Sequence, residues 1–124
     1  MAGVAHILIV EDEPTNAELA ALICKEEGHS TRQVRDGIEA LKRLLEKEHF
    51  DLVLLDVLMP RMDGLDLALA LREAPATASL PIIAVTGVAG SRDQQVLRSA
   101  GVDVVITKPY KPDTLRQALR QALK

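Results

Sequence analysis

Five polar residues of this chain stand at the ends of apolar runs, and their types suit metal and phosphoryl chemistry. They are the acids Glu11, Asp12 and Asp56, the hydroxyl of Thr86 and the amine of Lys108. Three carboxylates held close together repel one another unless a proton or a cation offsets the charge. Mg²⁺ prefers oxygen ligands and combines one or two carboxylates with water and phosphate oxygens. An aspartate can also form an aspartyl-phosphate, whose oxygens need positive charge and donors around them.

Each of these polar groups follows a short aliphatic run that is typical of a buried parallel strand. The runs are 7–10, 52–55, 82–85 and 104–107. In an open parallel sheet, the carboxyl ends of neighbouring strands lie at one edge, where ligands bind. We therefore expect the acids, the hydroxyl and the amine to converge in one cleft.

Strand-like and helix-like segments alternate along the chain. Strands are predicted at 6–10, 30–34, 51–56, 81–86 and 103–107, and helices at 14–27, 37–48, 64–74, 91–100 and 111–123. The second strand is polar, which favours a place at the edge of the sheet. Successive βα units of about 25 residues indicate an α/β fold, a doubly wound (βα)5 three-layer sandwich.

Local signals define some helix ends. Gly28 and Gly101 are placed to end the first and fourth helices. Ser91 and Gln94 have the spacing of a capping box at the start of the fourth helix.

The last helix carries a basic stripe, because Arg116, Arg120 and Lys124 recur every fourth residue. Two interpretations remain open: an ordinary solvated helix face, or a docking surface for an acidic partner helix.

Composition limits the classes of protein to which the chain can belong. Its 124 residues suffice for one domain with one core, which we take as residues 1–124. Charged residues make up 27%, and no apolar run reaches the roughly 18 residues of a membrane span. The net charge of −3 gives no general reason to expect direct nucleic-acid binding.

Cys24 is the only cysteine, which excludes an internal disulfide and predicts a buried thiol. No signal peptide is evident, so we expect a cytoplasmic location.

At its polar residues the sequence closely resembles the receiver domains of two-component response regulators. The matching stretches are 10–13, 55–56, 59–64, 85–87 and 107–110, and the resemblance spans essentially the whole chain in order. It implies a flavodoxin-like fold with the strand order 2-1-3-4-5, for which receiver domains are an established example.

The resemblance also implies a metal site that holds Mg²⁺, with Mn²⁺ able to substitute. Glu11 and Asp12 would form its acid pocket together with Asp56, and Asp12 would be the more direct ligand. The backbone carbonyl of Leu58 would complete the protein ligands.

The remaining roles follow from the same resemblance. Asp56 would be the phosphoacceptor, Thr86 the switch hydroxyl and Lys108 the amine that contacts the phosphoryl group. A cis bond between Lys108 and Pro109 is implied as well. One departure is Val105, because the family often has an aromatic residue three positions before the lysine; Tyr110 follows the lysine and is at a different position.

As a receiver, the chain would be a phosphoacceptor switch rather than an enzyme. Its donor would be a sensor histidine kinase or a phosphotransfer protein. Phosphorylation would change the face formed by the fourth helix, the fifth strand and the fifth helix, which would bind a downstream protein partner or a second copy in a phosphorylation-dependent homodimer.

Leu58 and Val88 flank the phosphoryl site and are apolar, which predicts slow self-dephosphorylation. The chain ends with the last predicted helix, so it is expected to be a stand-alone receiver or one domain of a longer protein.

Two alternatives belong to other classes. The first is an interaction module that never uses phosphate, against which the complete set of polar residues argues. The second is an aspartate-nucleophile phosphatase, for which a second acid in 56–58 and a substrate-covering insertion are missing.

Overall fold

The computed structural model describes residues 4–46, 48–56, 64–87 and 90–123. Its strands are β1 (His6–Val10), β2 (Ser30–Val34), β3 (Leu52–Asp56), β4 (Ile82–Thr86) and β5 (Val104–Thr107). Its helices are α1 (Pro14–Glu26), α2 (Gly37–Leu45), α3 (Gly64–Glu73), α4 (Ser91–Ser99) and α5 (Pro112–Ala122). The strands form one parallel sheet in the order β2-β1-β3-β4-β5, so the predicted fold class and strand order are confirmed. None of the helices in the described part of the chain has the length and apolarity needed to span a bilayer.

Both faces of the sheet are covered, because successive side chains of a strand point to opposite faces. Alternate strand residues pack against α2, α3 and α4 in one core cluster, which defines the α2/α3/α4 face. The residues between them pack against α1 and α5 in a second cluster, which defines the α1/α5 face. On the three central strands the first set is Leu8, Val10, Val53, Leu55, Ile82 and Ala84. The second set is Ile7, Ile9, Leu52, Leu54, Ile83 and Val85.

The polar strand β2 lies at the edge of the sheet, as predicted, and pairs only with β1. The helix that precedes β3 is shorter than predicted, because α2 ends at Leu45 rather than near 48. Beyond it the chain turns back toward β1. There the ring of Phe50 stacks on that of His6 with centroids 4.7 Å apart, and Glu48 Oε2 lies 2.7 Å from His6 Nε2.

The two predicted glycine ends of helices are confirmed. Gly28 follows α1 with φ 89°, and Gly101 follows α4 with φ 100°. The capping box at α4 is wrong, because the helix begins at Ser91 and Gly90 occupies the N-cap position. At α1 the cap is Glu13, whose carboxylate accepts hydrogen bonds from the backbone N–H groups of Thr15 and Asn16.

The basic stripe on α5 has its acidic partners within the same chain. Arg116 Nη2 lies 3.2 Å from Glu26 Oε1, and Arg120 Nε lies 3.0 Å from Glu27 Oε1. Both acids lie at the end of α1. Lys124 is outside the described residues. The two described arginines of the stripe therefore pair with acids of the same chain at the end of α1.

Candidate functional site

Three of the predicted polar side chains meet because they occupy equivalent places on their strands. Glu11 follows β1, Asp56 ends β3 and Lys108 follows β5. Each lies two residues beyond a strand residue of the α1/α5 cluster. Since strand side chains alternate, all three continue rows on the same face of the sheet. Their convergence therefore follows from strand order and register.

Lys108 bridges two buried carboxylates. Its Nζ lies 3.3 Å from Glu11 Oε1 and 3.3 Å from Asp56 Oδ2. The side chains of Glu11 and Asp56 are 9% and 6% exposed, against 29% for Lys108. Burial acts to lower the pKa of the Lys108 ammonium, but the charges of Asp56 and Glu11 outweigh it and raise that pKa overall. The amine is therefore a fixed positive charge beside Asp56.

Three acids form a cluster that could hold a metal ion. Ligand oxygens of Glu11, Asp12 and Asp56 all lie within 4.8 Å of one another. Burial, together with the hydrogen bond to Asp56 and its charge, raises the pKa of Glu11 to about 7. A carboxylate crowded in this way is relieved by a proton or by a cation. The donor set consists of oxygen atoms only, which fits Mg²⁺. Leu58, the fourth predicted ligand, is outside the described residues.

Thr86 lies on β4, the strand next to β3. It ends β4, is 2% exposed, and lies one residue beyond Val85, the β4 partner of Asp56 in the sheet register. Its position continues the row of β4 residues on the α2/α3/α4 face. The backbone N–H of Lys108 donates a hydrogen bond of 2.7 Å to the Thr86 carbonyl. Thr86 is thus joined through the backbone to the strand end that carries Lys108.

The connection that follows β5 has the predicted geometry. The bond between Lys108 and Pro109 is cis. Val105 packs against the α2/α3/α4 cluster, whereas Tyr110 packs against the α1/α5 cluster. Because the two residues lie on opposite faces of the sheet, the Tyr110 ring does not replace an aromatic side chain at position 105.

An apolar cavity of about 420 Å³ adjoins the acid cluster between α1 and the β5–α5 connection. Glu11, Asp56 and Lys108 contribute to its wall. Its apolar lining includes Ile9, Leu19, Ala20, Leu54, Val85 and Tyr110. This cavity was not predicted, because its size depends on how far α1 lies from the sheet.

A contact of Glu13 was also not predicted. Its backbone N–H donates a hydrogen bond of 3.2 Å to Glu11 Oε2. The two oxygens of Glu11 are therefore both held, one by Lys108 and the other by this amide. Because almost every residue has a backbone N–H group, residue types do not reveal this contact. The capping position of Glu13 is the sequence feature that could have suggested it.

Comparison with known proteins identifies relatives over nearly the whole chain. The family model described as the response regulator receiver domain matches residues 7–120. The chain is 38% identical to the sensor histidine kinase RcsC of Escherichia coli (strain K12) over 91% of its own length and 12% of that protein. The first curated relatives are longer proteins, of which the chain spans between 12% and about half.

Solved structures of receiver domains also resemble this chain. The signal receiver domain of a signal transduction histidine kinase from Syntrophus aciditrophicus is 40% identical, with a TM-score of 0.88 over 97% of this chain and 90% of that one. The receiver domain of sensor histidine kinase PA1611 from Pseudomonas aeruginosa PAO1 is 29% identical, with a TM-score of 0.87 over 98% of each chain. The latter was solved with a magnesium ion coordinated in its active site cleft.

Proposed function

Because this chain belongs to the response regulator receiver domains of two-component signal transduction, we propose that it accepts a phosphoryl group on the carboxylate of Asp56. The observation that carries the proposal is the contact of 3.3 Å between Lys108 Nζ and Asp56 Oδ2. Asp56 is thereby a buried nucleophile beside a permanent cation. The other buried acid, Glu11, is held through Oε1 by Lys108 and through Oε2 by the Glu13 amide.

The proposed step is a phosphoryl transfer from a phosphohistidine. A carboxylate oxygen of Asp56 forms a bond to phosphorus while the bond between phosphorus and the imidazole nitrogen breaks. The imidazole leaves with the electron pair and takes up a proton from solvent. Lys108 offsets the negative charge on the equatorial oxygens of the transferred group.

The acid cluster supports a divalent cation as cofactor. Glu11, Asp12 and Asp56 would hold it, and their oxygen-only donor set and mutual distances suit Mg²⁺, with Mn²⁺ as a substitute. When bound, such an ion supplies positive charge that offsets the clustered carboxylates and the phosphoryl oxygens. We also propose the Leu58 carbonyl as a ligand, on the resemblance alone.

The donor would be a sensor histidine kinase or a phosphotransfer protein. Its phosphohistidine must reach Asp56, so it must cover the adjoining surface. Leu19 and Leu22 on α1 are 46% and 54% exposed, and Leu19 lines the apolar cavity beside the acid cluster. These side chains support docking of the donor against α1. Residues 1–124 would act here as a single receiver unit.

The signal would leave through the face formed by α4, β5 and α5. Thr86 ends β4 and continues its row of residues on the α2/α3/α4 face, and Val96 on α4 is exposed. Movement of Thr86 toward the phosphoryl group would displace the start of α4, and the altered face would bind a downstream protein or a second copy.

Self-dephosphorylation would be slow because the residues flanking the site, Leu58 and Val88, are apolar in sequence; both are outside the described residues.

Incubation with acetyl phosphate and Mg²⁺, followed by intact mass measurement, tests the proposal. We expect one added phosphoryl group on the parent chain and none on the Asp56→Asn variant. Asp93→Asn is the matched control, because Asp93 is an exposed acid on α4, and it should be labelled like the parent. Equal labelling of Asp56→Asn would contradict the assignment. No labelling of the parent would favour the module that does not use phosphate.

A further inference from the structure

Glu11 contacts the side chains of Asp56 and Lys108 and the backbone amide of Glu13, and of these groups the amide is the one that belongs to the backbone. Lys108 reaches Oε1 at 3.3 Å with the end of a long, rotatable side chain. The Glu13 amide reaches Oε2 at 3.2 Å from the backbone. A backbone donor cannot turn away without moving the chain. The orientation of the Glu11 carboxylate therefore depends on where the backbone of Glu13 lies.

The backbone of Glu13 is itself fixed by the start of α1. Its carboxylate accepts hydrogen bonds from the N–H groups of Thr15 at 3.2 Å and Asn16 at 2.8 Å. Its carbonyl accepts the N–H of Ala17 at 3.0 Å. Short side chains such as serine and aspartate are the usual residues at this position, because they reach these amides easily. Glu13 makes the same bonds with a longer side chain.

We propose that Glu13 is a positioning residue for the metal pocket: by capping α1 it fixes the amide that orients Glu11. The inference rests on the proposed Mg²⁺ site. It assigns to Glu13 no contact with the ion. Its effect passes through three links, from the carboxylate to the helix amides, from the helix to the Glu13 backbone, and from that backbone to Glu11 Oε2.

The test compares four variants of the full chain by isothermal titration with Mg²⁺ and by urea unfolding. Glu13→Ala removes both the cap and the charge. Glu13→Ser restores a cap without the charge, and Glu13→Asp restores both. Glu18→Ala removes an exposed charge from α1 and leaves the cap intact. This set separates the effect of the cap on Mg²⁺ affinity from that of the charge.

We expect Glu13→Ala to weaken Mg²⁺ binding about tenfold, at the low end of the effect of removing a group that supports a metal ligand. Glu13→Ser, Glu13→Asp and Glu18→Ala should each stay close to the parent affinity. A structural role alone would lower the unfolding free energy of Glu13→Ala while its folded form bound Mg²⁺ like the parent.

Three results would overturn the proposal. The first is parent affinity in Glu13→Ala. The second is equal weakening in Glu13→Ser and Glu13→Ala, which would show that charge is responsible. The third is a parent chain that binds no Mg²⁺, which would remove the metal assignment itself and with it this role for Glu13.

Discussion

Gly101 lies directly against the side chain of Arg72, so closely that a Cβ atom at Gly101 would be 2.6 Å from Arg72 Cγ. Arg72 also donates two hydrogen bonds to the Gly101 carbonyl, at 3.0 Å from Nε and 2.7 Å from Nη2. The φ angle of Gly101 is +100°, which side chains other than hydrogen rarely allow. Two separate constraints therefore require glycine at the end of α4.

These constraints predict a large loss of stability in Gly101→Ala. The φ angle and the contact with Arg72 should together lower the unfolding free energy by about 2 to 3 kcal/mol. Gly28→Ala is the matched control, because Gly28 has φ +89° but nothing within 4 Å of its Cβ position. It should lose only about 1 kcal/mol, from backbone strain alone. Urea unfolding of both variants measures the difference, and equal losses would contradict the role of the Arg72 contact.

Arg72 should contribute far more to stability than the arginines of the α5 stripe. Among the described residues its five N–H groups make six contacts within hydrogen-bond distance, five of them with backbone carbonyl oxygens. The acceptors are the carbonyls of Thr77, Ala78, Leu80 and Gly101 and the carboxylate of Asp103. Arg72→Met would leave several of these groups without a donor, so we expect a loss of about 3 kcal/mol.

The matched control for Arg72→Met is Arg116→Met. Arg116 pairs with Glu26 and Asp113, whose side chains are exposed, so its removal should lower the unfolding free energy far less than the removal of Arg72. Unfolding free energies in urea, measured at low and high salt, test both expectations. The two variants should differ by at least about 2 kcal/mol at either salt concentration. A loss of similar size in both would show that the carbonyl contacts of Arg72 are weak.

The sequence determines much of this fold because its signals are local. Aliphatic runs predicted β1, β3, β4 and β5 to within a residue, and glycines predicted the ends of α1 and α4. The meeting of Glu11, Asp56 and Lys108 followed from strand order and from the alternation of side chains. The distances between these three side chains were not predictable, but their position at one edge of the sheet was.

The contacts of Arg72 and Glu13 could not be predicted in the same way. Their partners are backbone groups, and a backbone carbonyl or amide is present at every position and so marks none. The capping error at Ser91 has another cause. A shift of one residue in the start of a helix changes which side chain is at the cap. The pairing of Arg116 with Glu26 was also hidden, since Glu26 is distant in sequence and becomes a neighbour only when α5 packs against α1.

Cys24 should react only when the protein opens. Its side chain is fully buried, and burial raises the pKa of the thiol to about 12, which disfavours the reactive thiolate. At pH of about 8, we expect alkylation by iodoacetamide to be at least about 1,000-fold slower than in the urea-unfolded chain. Mass spectrometry after timed quenching follows the reaction, with Cys24→Ala as the blank. Labelling of the native protein at the unfolded rate would contradict the burial.

Glu11 should make the stability of the metal-free protein depend on pH. Its pKa is raised from 4.5 to about 7, chiefly by burial, so the fold favours its protonated form. The unfolded chain loses that proton near 4.5. The stabilisation is therefore complete below 4.5 and is lost as pH rises to about 7, by about 1 to 3 kcal/mol. Glu11→Gln should remove this fall, as urea unfolding in a chelator across that pH range would show.

The same proton should compete with Mg²⁺. A cation needs the Glu11 carboxylate ionised, so affinity should fall as pH drops below about 7, by at most about tenfold per pH unit. Above about 7 the affinity of the parent should level off. Above about pH 7, Glu11→Gln should bind Mg²⁺ more weakly than the parent, because the amide keeps the shape of the side chain and lacks its charge. Its affinity should also lack this proton competition, because the titrating group is gone. Isothermal titration in buffers of different ionisation enthalpy would also show proton release on binding below about pH 7 in the parent alone. A parent affinity that does not change between about pH 5.5 and 7 would place Glu11 outside the metal site.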